Sequence, residues 1–290
     1  MTMYRIGIIG SENSHALAFT RIFNLSGQYE DMRVVGIAGE VRASSEKVFQ
    51  EGQLEFIADK PQDFLGRVDA MMITSRHGGL HAGYARPFIE AGMPVFVDKP
   101  ITDRAESTRT LLQLATEHHA PVMGGSSTRL VPDTLSLRDF AQTAQAAGTL
   151  AGGHVWAPVS MTNEYGGFCF YSPHLVEIAL TVFGYNPLAV RAFQNSAGVT
   201  ALLEYDCFTV HLSFTEKAYQ YGGTVLTNEK AETHAIDVAK GYEIETAHFA
   251  AMVRTGHMPN PTEEMLLSVI VMNAVEAAFT SGQRVMIEII

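Results

Sequence analysis

Tyr4-Arg5-Ile6-Gly7-Ile8-Ile9-Gly10-Ser11-Glu12-Asn13-Ser14-His15-Ala16 is the stretch from which the fold follows. Its first seven residues read as a short buried strand running into a glycine turn, and Ser14 to Phe23 reads as the helix after it. Strand, glycine turn and helix in that order open a dinucleotide-binding βαβ unit. In the usual G-x-G-x-x-G, the second glycine lets the backbone approach a diphosphate and the third lets the helix pack close to the strand. Those two places are held here by Glu12 and His15. A carboxylate repels a diphosphate unless it turns aside, so the turn itself raises the question of whether a cofactor binds.

The pattern continues outward from this unit as far as Met123. Apolar runs at Tyr4 to Ile9, Arg33 to Ala38, Glu55 to Ala58, Ala70 to Thr74, Pro94 to Val97 and Val122 to Met123 alternate with helical patterns. The helices fall near Ser14 to Asn24, Ser44 to Gln50, Gly79 to Glu90 and Arg104 to Glu117. Near-continuous apolar strands such as Ala70-Met71-Met72-Ile73 suit a parallel sheet covered on both faces. Residues 1–123 are therefore expected to form a Rossmann-like α/β domain. After Gly125 come a helix near Pro132 to Thr143, a strand around Ala151 to Pro158 and a helix near Pro173 to Phe183. Consecutive strands follow from Ala189 to Asp237, then helices at Glu243 to Arg254 and Glu263 to Phe279 and a last strand at Val285 to Ile289. Strands in succession without helices imply antiparallel pairing. Residues 124–290 are thus expected to be an α+β domain with a largely antiparallel, open-faced sheet.

Composition sets the outer limits. The chain has 290 residues, 47% of them hydrophobic, enough for two cores. A net charge of −11 argues against nucleic acid or an anionic membrane surface as partner. No run approaches the roughly 20 apolar residues of a membrane span, and the start lacks a basic, apolar signal pattern. Cytoplasmic residence is the default expectation. Cys169 and Cys207 are too few for a disulfide framework and read as core thiols.

The strongest local signal for chemistry is Pro94-Val95-Phe96-Val97-Asp98-Lys99-Pro100, a buried strand ending in an acid, a lysine and a proline. Ligands gather at the carboxyl ends of strands in open α/β sheets, which places Lys99 where a substrate or nicotinamide would lie. A lone lysine there could equally close the strand at the surface. His77 and His81 flank Gly78-Gly79-Leu80 at another strand's carboxyl end, and His15 sits at the first such end. Imidazoles in a cleft can bind metal, but no cysteine or carboxylate spacing accompanies these, and no metal site is expected. His154, His211, His234 and His248 read as structural.

In the order and spacing of its pieces the chain resembles the Gfo/Idh/MocA family, the glucose-fructose oxidoreductase and inositol dehydrogenase relatives, over nearly its whole length. The pieces are Val68 to Thr74; Leu80-His81 opening a helix that ends Glu90-Ala91-Gly92; and Val97-Asp98-Lys99-Pro100, similar to the family's E-K-P. They continue with Gly166-Gly167, with His174-Leu175-Val176-Glu177 resembling its H-L-x-D, and with Phe249 to Gly256 followed by Thr262-Glu263-Glu264. The resemblance implies an NAD(P)-dependent dehydrogenase that transfers a hydride between nicotinamide and a sugar, polyol or similar hydroxylated molecule. It implies that Lys99 touches substrate and nicotinamide, and that His174 exchanges the hydroxyl proton. An alcohol cannot release hydride until its proton leaves, and imidazole is suited to accept it.

Two departures bear on those roles. The family's aspartate four residues before the histidine is Phe170 here, leaving Tyr171 and Ser172 as candidate substrate contacts. Ser172 and Pro173 read equally as the N-cap and first residue of a helix. At the opening turn, a dinucleotide would be held by Gly10, Ser11, Asn13, Ser14 and His15, with Thr74 and Ser75 along the nicotinamide side and His77, His81 and Asp98 as further cofactor contacts. Glu40, ending the second strand, is the acid placed to accept from the adenosine ribose and favours NAD, with NADP the alternative. A scaffold that binds a ligand without hydride turnover, and an NAD-assisted elimination or hydrolysis, stand as other readings. Val210, Leu212 and Phe214 alternate as one buried sheet face, and relatives associate through such sheets. A homodimer or homotetramer is expected, and light scattering showing a monomer at micromolar concentration would contradict it.

Overall fold

The computed structural model describes residues 3–288. The chain divides into two compact units. The first comprises residues up to Thr102, Glu106–Gly125 and Tyr242–Thr262; the second comprises Asp103–Ala105, Ser126–Gly241 and residues from Glu263 on. The expected boundary at 123/124 is therefore crossed late in the chain, where a helix belongs to the first unit.

In the first unit, strands β1 (Tyr4–Ile9), β2 (Met32–Ala38), β3 (Phe56–Ile57), β4 (Ala70–Ile73), β5 (Val95–Val97) and β6 (Val122–Gly124) alternate with helices α1 (Ser14–Leu25), α2 (Arg42–Gly52), α3 (Gly78–Glu90) and α4 (Ala105–Glu117). The strands pair in parallel in the order β3-β2-β1-β4-β5-β6. That is the doubly wound order whose switch point lies between β1 and β4, where ligands bind beyond the strands' carboxyl ends. All four residues of β4 are buried, as its unbroken apolar run requires. The core gathers Ile6, Ile8, Phe19, Phe23, Met72 and Phe96 with Phe249 and Met252 of the late helix. Phe249 meets Phe23 and Phe96 edge-on at ring distances of 6.1 and 6.4 Å. Truncating a buried aromatic of this kind to Ala costs about 3–5 kcal/mol, so the late helix is a constituent of this core.

The second unit contains helices α5 (Pro132–Ala146) and α6 (Phe168–Phe183), and strands β7 (Leu150–Pro158), β8 (Ala189–Asn195), β9 (Gly198–Glu204), β10 (Thr209–Thr215), β11 (Gly222–Thr227) and β12 (Ala231–Ala235). The late helix of the first unit is α7 (Gly241–Thr255); α8 (Thr262–Ser281) and β13 (Val285–Met286) close the second. Ile289 lies outside the described residues. The sheet order is β12-β11-β7-β10-β9-β8-β13. Its pairs are antiparallel except β7 with β10, which run parallel because the chain makes a helical crossover and then two further strands before returning. Val210, Leu212 and Phe214 are buried, whereas Thr209 and His211 of the same strand are exposed, so one sheet face is covered and the other open. Phe193, 65% exposed, lies on that open side of β8.

Three local expectations need correction. Helix α6 begins at Phe168, not Pro173: Phe168 and Cys169 are buried, and their burial extends the helix through the proline. Cys207 is exposed, in the β9–β10 turn beside Asp206, while Cys169 is buried and its thiol is pushed up to about 12 by burial and then by Glu276. By length and composition α8 could cross a membrane, yet half of its apolar stretch is buried within the protein as a core helix.

Candidate functional site

At the carboxyl end of β1, Gly10 has φ of +115°, and a Cβ there would collide with the backbone of Thr74 and Ser75. Only glycine makes this turn. Thr74 secures it from β4's end: its N–H donates to Ile9 O (2.7 Å), and its hydroxyl contacts the carbonyls of Ile9 and Gly10 (both 3.2 Å). Ser11 is engaged as well, its N–H donating to Ala38 O (3.2 Å) and its hydroxyl meeting Ser45 Oγ (2.8 Å). Asn13 caps α1 by accepting from His15 N (3.3 Å). Ser14 is the exposed first residue of the helix. The first N–H groups of a helix have no intrahelical partner and carry partial positive charge. They open on a cavity of about 400 Å³ lined by Ser11, Glu12, Asn13, Ser14, Arg76 and Tyr242. Lys47 and Arg21 also line it.

His15, in the third glycine's place, turns toward β5. Its Nδ1 lies 2.5 Å from Asp98 Oδ2, and its ring meets Tyr242 edge-on at 4.8 Å. Asp98 is buried, accepts from Asn13 Nδ2 (3.3 Å) and, through Oδ1, from Lys99 N (2.7 Å). Burial by itself would raise its pKa. The His15 ion pair and hydrogen bond, with Lys99 adding to them, outweigh burial and hold the carboxyl below its usual range. Lys99 is 5% exposed, and burial lowers its ammonium pKa against the opposing pull of Asp98 and Glu245, with Arg76 adding to the lowering. Glu245 comes from α7. The result is a buried lysine at the end of β5 in the field of two acids, an environment in which a positive charge acts strongly on a nearby anion.

His77 and His81, expected as cofactor contacts, have structural partners. His77 caps α3, its Nδ1 accepting from Gly79 N (3.1 Å). His81 is fully buried, with Nδ1 2.8 Å from Pro100 O and Nε2 2.7 Å from Ser75 O, and so ties the loop after β4 to the one after β5. The hydroxyl of Ser75 is buried with no hydrogen-bond partner in the chain. Glu40 is exposed, just past β2. Among the described residues no group of three or more His, Cys, Asp or Glu side chains is arranged to hold a metal.

In the second unit, His174 stands on α6 with its ring 5.5 Å from Tyr171 and 5.9 Å from Tyr221. Its Nδ1 lies 2.6 Å from Ser126 Oγ. The surrounding hydrogen bonds assign the proton. Thr128 Oγ1 donates to His174 O (3.1 Å), so in its 2.7 Å contact with Ser126 Oγ the serine must be the donor. Ser126 Oγ already accepts from Thr128 N (3.2 Å), and its remaining lone pair accepts from His174 Nδ1–H. The lone pair of the neutral ring is therefore on Nε2, the form that can take a proton. Ser126 Oγ thereby fixes the orientation of the His174 ring. The serine is itself fixed, because its N–H donates to Glu177 Oε2 (2.9 Å), and Glu177 pairs with buried Arg129 (3.3 Å). Ser172 is wholly buried inside α6 rather than capping it, and its hydroxyl has no hydrogen-bond partner in the chain.

Sequence reasoning missed Ser126, Arg129, Arg76, Tyr242 and Glu245. Arg76 was open to notice, being next to Thr74-Ser75; the others are brought in by distant segments.

Residues 4–126 match the Gfo/Idh/MocA family model, described as "Oxidoreductase family, NAD-binding Rossmann fold". Several solved structures share the fold across nearly the entire chain. The scyllo-inositol dehydrogenase from Lactobacillus casei, with bound cofactor NAD(H) and scyllo-inositol, aligns with a TM-score of 0.83 at 16% identity over 99% of each chain. The myo-inositol 2-dehydrogenase from Lactobacillus plantarum gives 0.83 at 14% identity over 99% of this chain and 100% of its own. A myo-inositol dehydrogenase from Corynebacterium glutamicum gives 0.80 at 18% identity over 99% of each. No curated protein matches in sequence.

Proposed function

We propose that the protein is an NAD-dependent dehydrogenase of a polyol, sugar or similar hydroxylated small molecule. The observation that carries this reading is Lys99, buried at the carboxyl end of β5 in the field of Asp98 and Glu245. The residues fit a dinucleotide: a tight glycine turn, a cavity at the start of α1, and the unpartnered hydroxyl of Ser75 at the end of β4. Ser14 and the first N–H groups of α1 would hold the diphosphate, and the nicotinamide, when bound, accepts the hydride. Lys99 stabilises the alkoxide that forms as the substrate hydroxyl loses its proton. His174 takes that proton on Nε2, its tautomer set by Ser126. Tyr171 is the candidate contact for a substrate hydroxyl, whereas Ser172, expected beside it, is enclosed within α6. Cytoplasmic residence and a homodimer or homotetramer belong to the same reading.

The test is a panel of inositols, sugars and sugar acids incubated with NAD⁺, followed by NADH absorbance and by product analysis. At least one member should generate stoichiometric NADH and ketone. Product without net NADH would assign the transient-oxidation chemistry of an elimination or hydrolysis. No product from any member, with cofactor bound, would favour a binding scaffold.

A further inference from the structure

The carboxylate that breaks the glycine pattern lies beside a second irregularity. Both oxygens of Glu12 are buried and neither has a hydrogen-bond partner in the chain. A Cβ built on Gly39, just past β2, would stand 2.9 Å from Glu12 Oε2 and would also strike Ser11. Glu12 thus reaches from the β1–α1 turn into the space that a side chain at Gly39 would fill. The phenol of Tyr84 lies in the field of both nearby acids: burial first, then Glu40 and Glu12, raise its pKa. Glu40 itself is exposed.

A buried acceptor pair without donors is costly to a folded protein, more so when it is charged. The cost is relieved by a ligand that brings donors. A diphosphate brings none, and its charge has the same sign. A ribose brings two hydroxyls, and the end of the second strand in a doubly wound sheet is where a carboxylate accepts from the adenosine ribose. We propose that Glu12 is this acceptor, performing from the first turn the role the sequence assigns to Glu40, and that it selects NAD(H) over NADP(H) by repelling a 2′-phosphate. The inference rests on the dinucleotide reading above. It also explains how a glutamate can stand in the second glycine's place: the side chain is directed to the ribose and away from the diphosphate.

The experiment is a fluorescence titration of the full chain with NADH, NADPH and the 2′-deoxyadenosine analogue of NADH, on wild type and on Glu12→Gln. Wild type should bind NADH at least tenfold tighter than either of the others. Glu12→Gln, whose neutral amide removes a buried charge and should fold at least as well by circular dichroism, should lose most of both preferences. The wild-type comparison of NADH with its deoxy analogue tests the same point without any variant. Equal binding of those two ligands, an unchanged NADH to NADPH ratio in Glu12→Gln, or relaxation by Glu40→Gln instead would overturn the assignment. Absence of binding by every dinucleotide would remove the underlying reading along with it.

Discussion

Lys99→Met should lower turnover on any substrate found by the panel by roughly 100- to 1,000-fold, the range for removing one preorganised stabiliser of a developing oxyanion. The loss should fall mainly on kcat, because the ammonium acts most on charge that exists only as the hydroxyl proton leaves. Stability should change with a distinct pH dependence. Burial lowers the pKa of Lys99 from its ordinary 10.5, so in the window between the folded value and 10.5 the unfolded chain binds more protons than the folded one. Stability then rises with pH through that window. Met at this position has no proton to lose. The stability difference between the variant and wild type should therefore shift in wild type's favour as pH climbs toward 10.5. Urea denaturation of both proteins across that range checks the sign; a shift in the variant's favour would contradict it.

His174→Asn should cost about 100- to 10,000-fold in turnover, the usual contribution of a positioned general base. Its acidic pH limb should vanish with it, since that limb reports protonation of Nε2. Ser126→Ala separates positioning from proton transfer. Without Ser126 Oγ the ring loses the acceptor that fixes Nδ1–H, so kcat should fall by about tenfold while the limb persists at a displaced pH. A flat profile in wild type, or full activity in His174→Asn, would remove the histidine from this role.

The Rossmann unit was legible because each strand end and helix start announces itself within a few residues, as Gly10 and Asn13 do. The second sheet was legible in outline, since alternation at Val210, Leu212 and Phe214 needs no tertiary knowledge. The return of α7 to the first unit was not. Phe249 and Glu245 sit on an amphipathic helix, and periodicity says that a face is buried without saying against what. The start of α6 was misread because Ser172-Pro173 satisfies the local rules for a helix start; burial of Phe168 and Cys169 outweighs them. His174 and Lys99 stood out by motif, whereas Ser126 lies in an unremarkable Gly-Ser-Ser-Thr link and becomes meaningful only through a hydrogen bond spanning 48 positions. Glu12 could be flagged from sequence as an anomaly. Its direction depended on the space above Gly39, which only the fold reveals.

Equilibrium titration of the purified protein with NADH, followed by cofactor fluorescence, tests most directly whether this modified turn still receives a nicotinamide dinucleotide. The expected result is saturable binding with a Kd below about 1 mM, displaced by NAD⁺. No saturable signal with NADH or NADPH at millimolar concentration would contradict it.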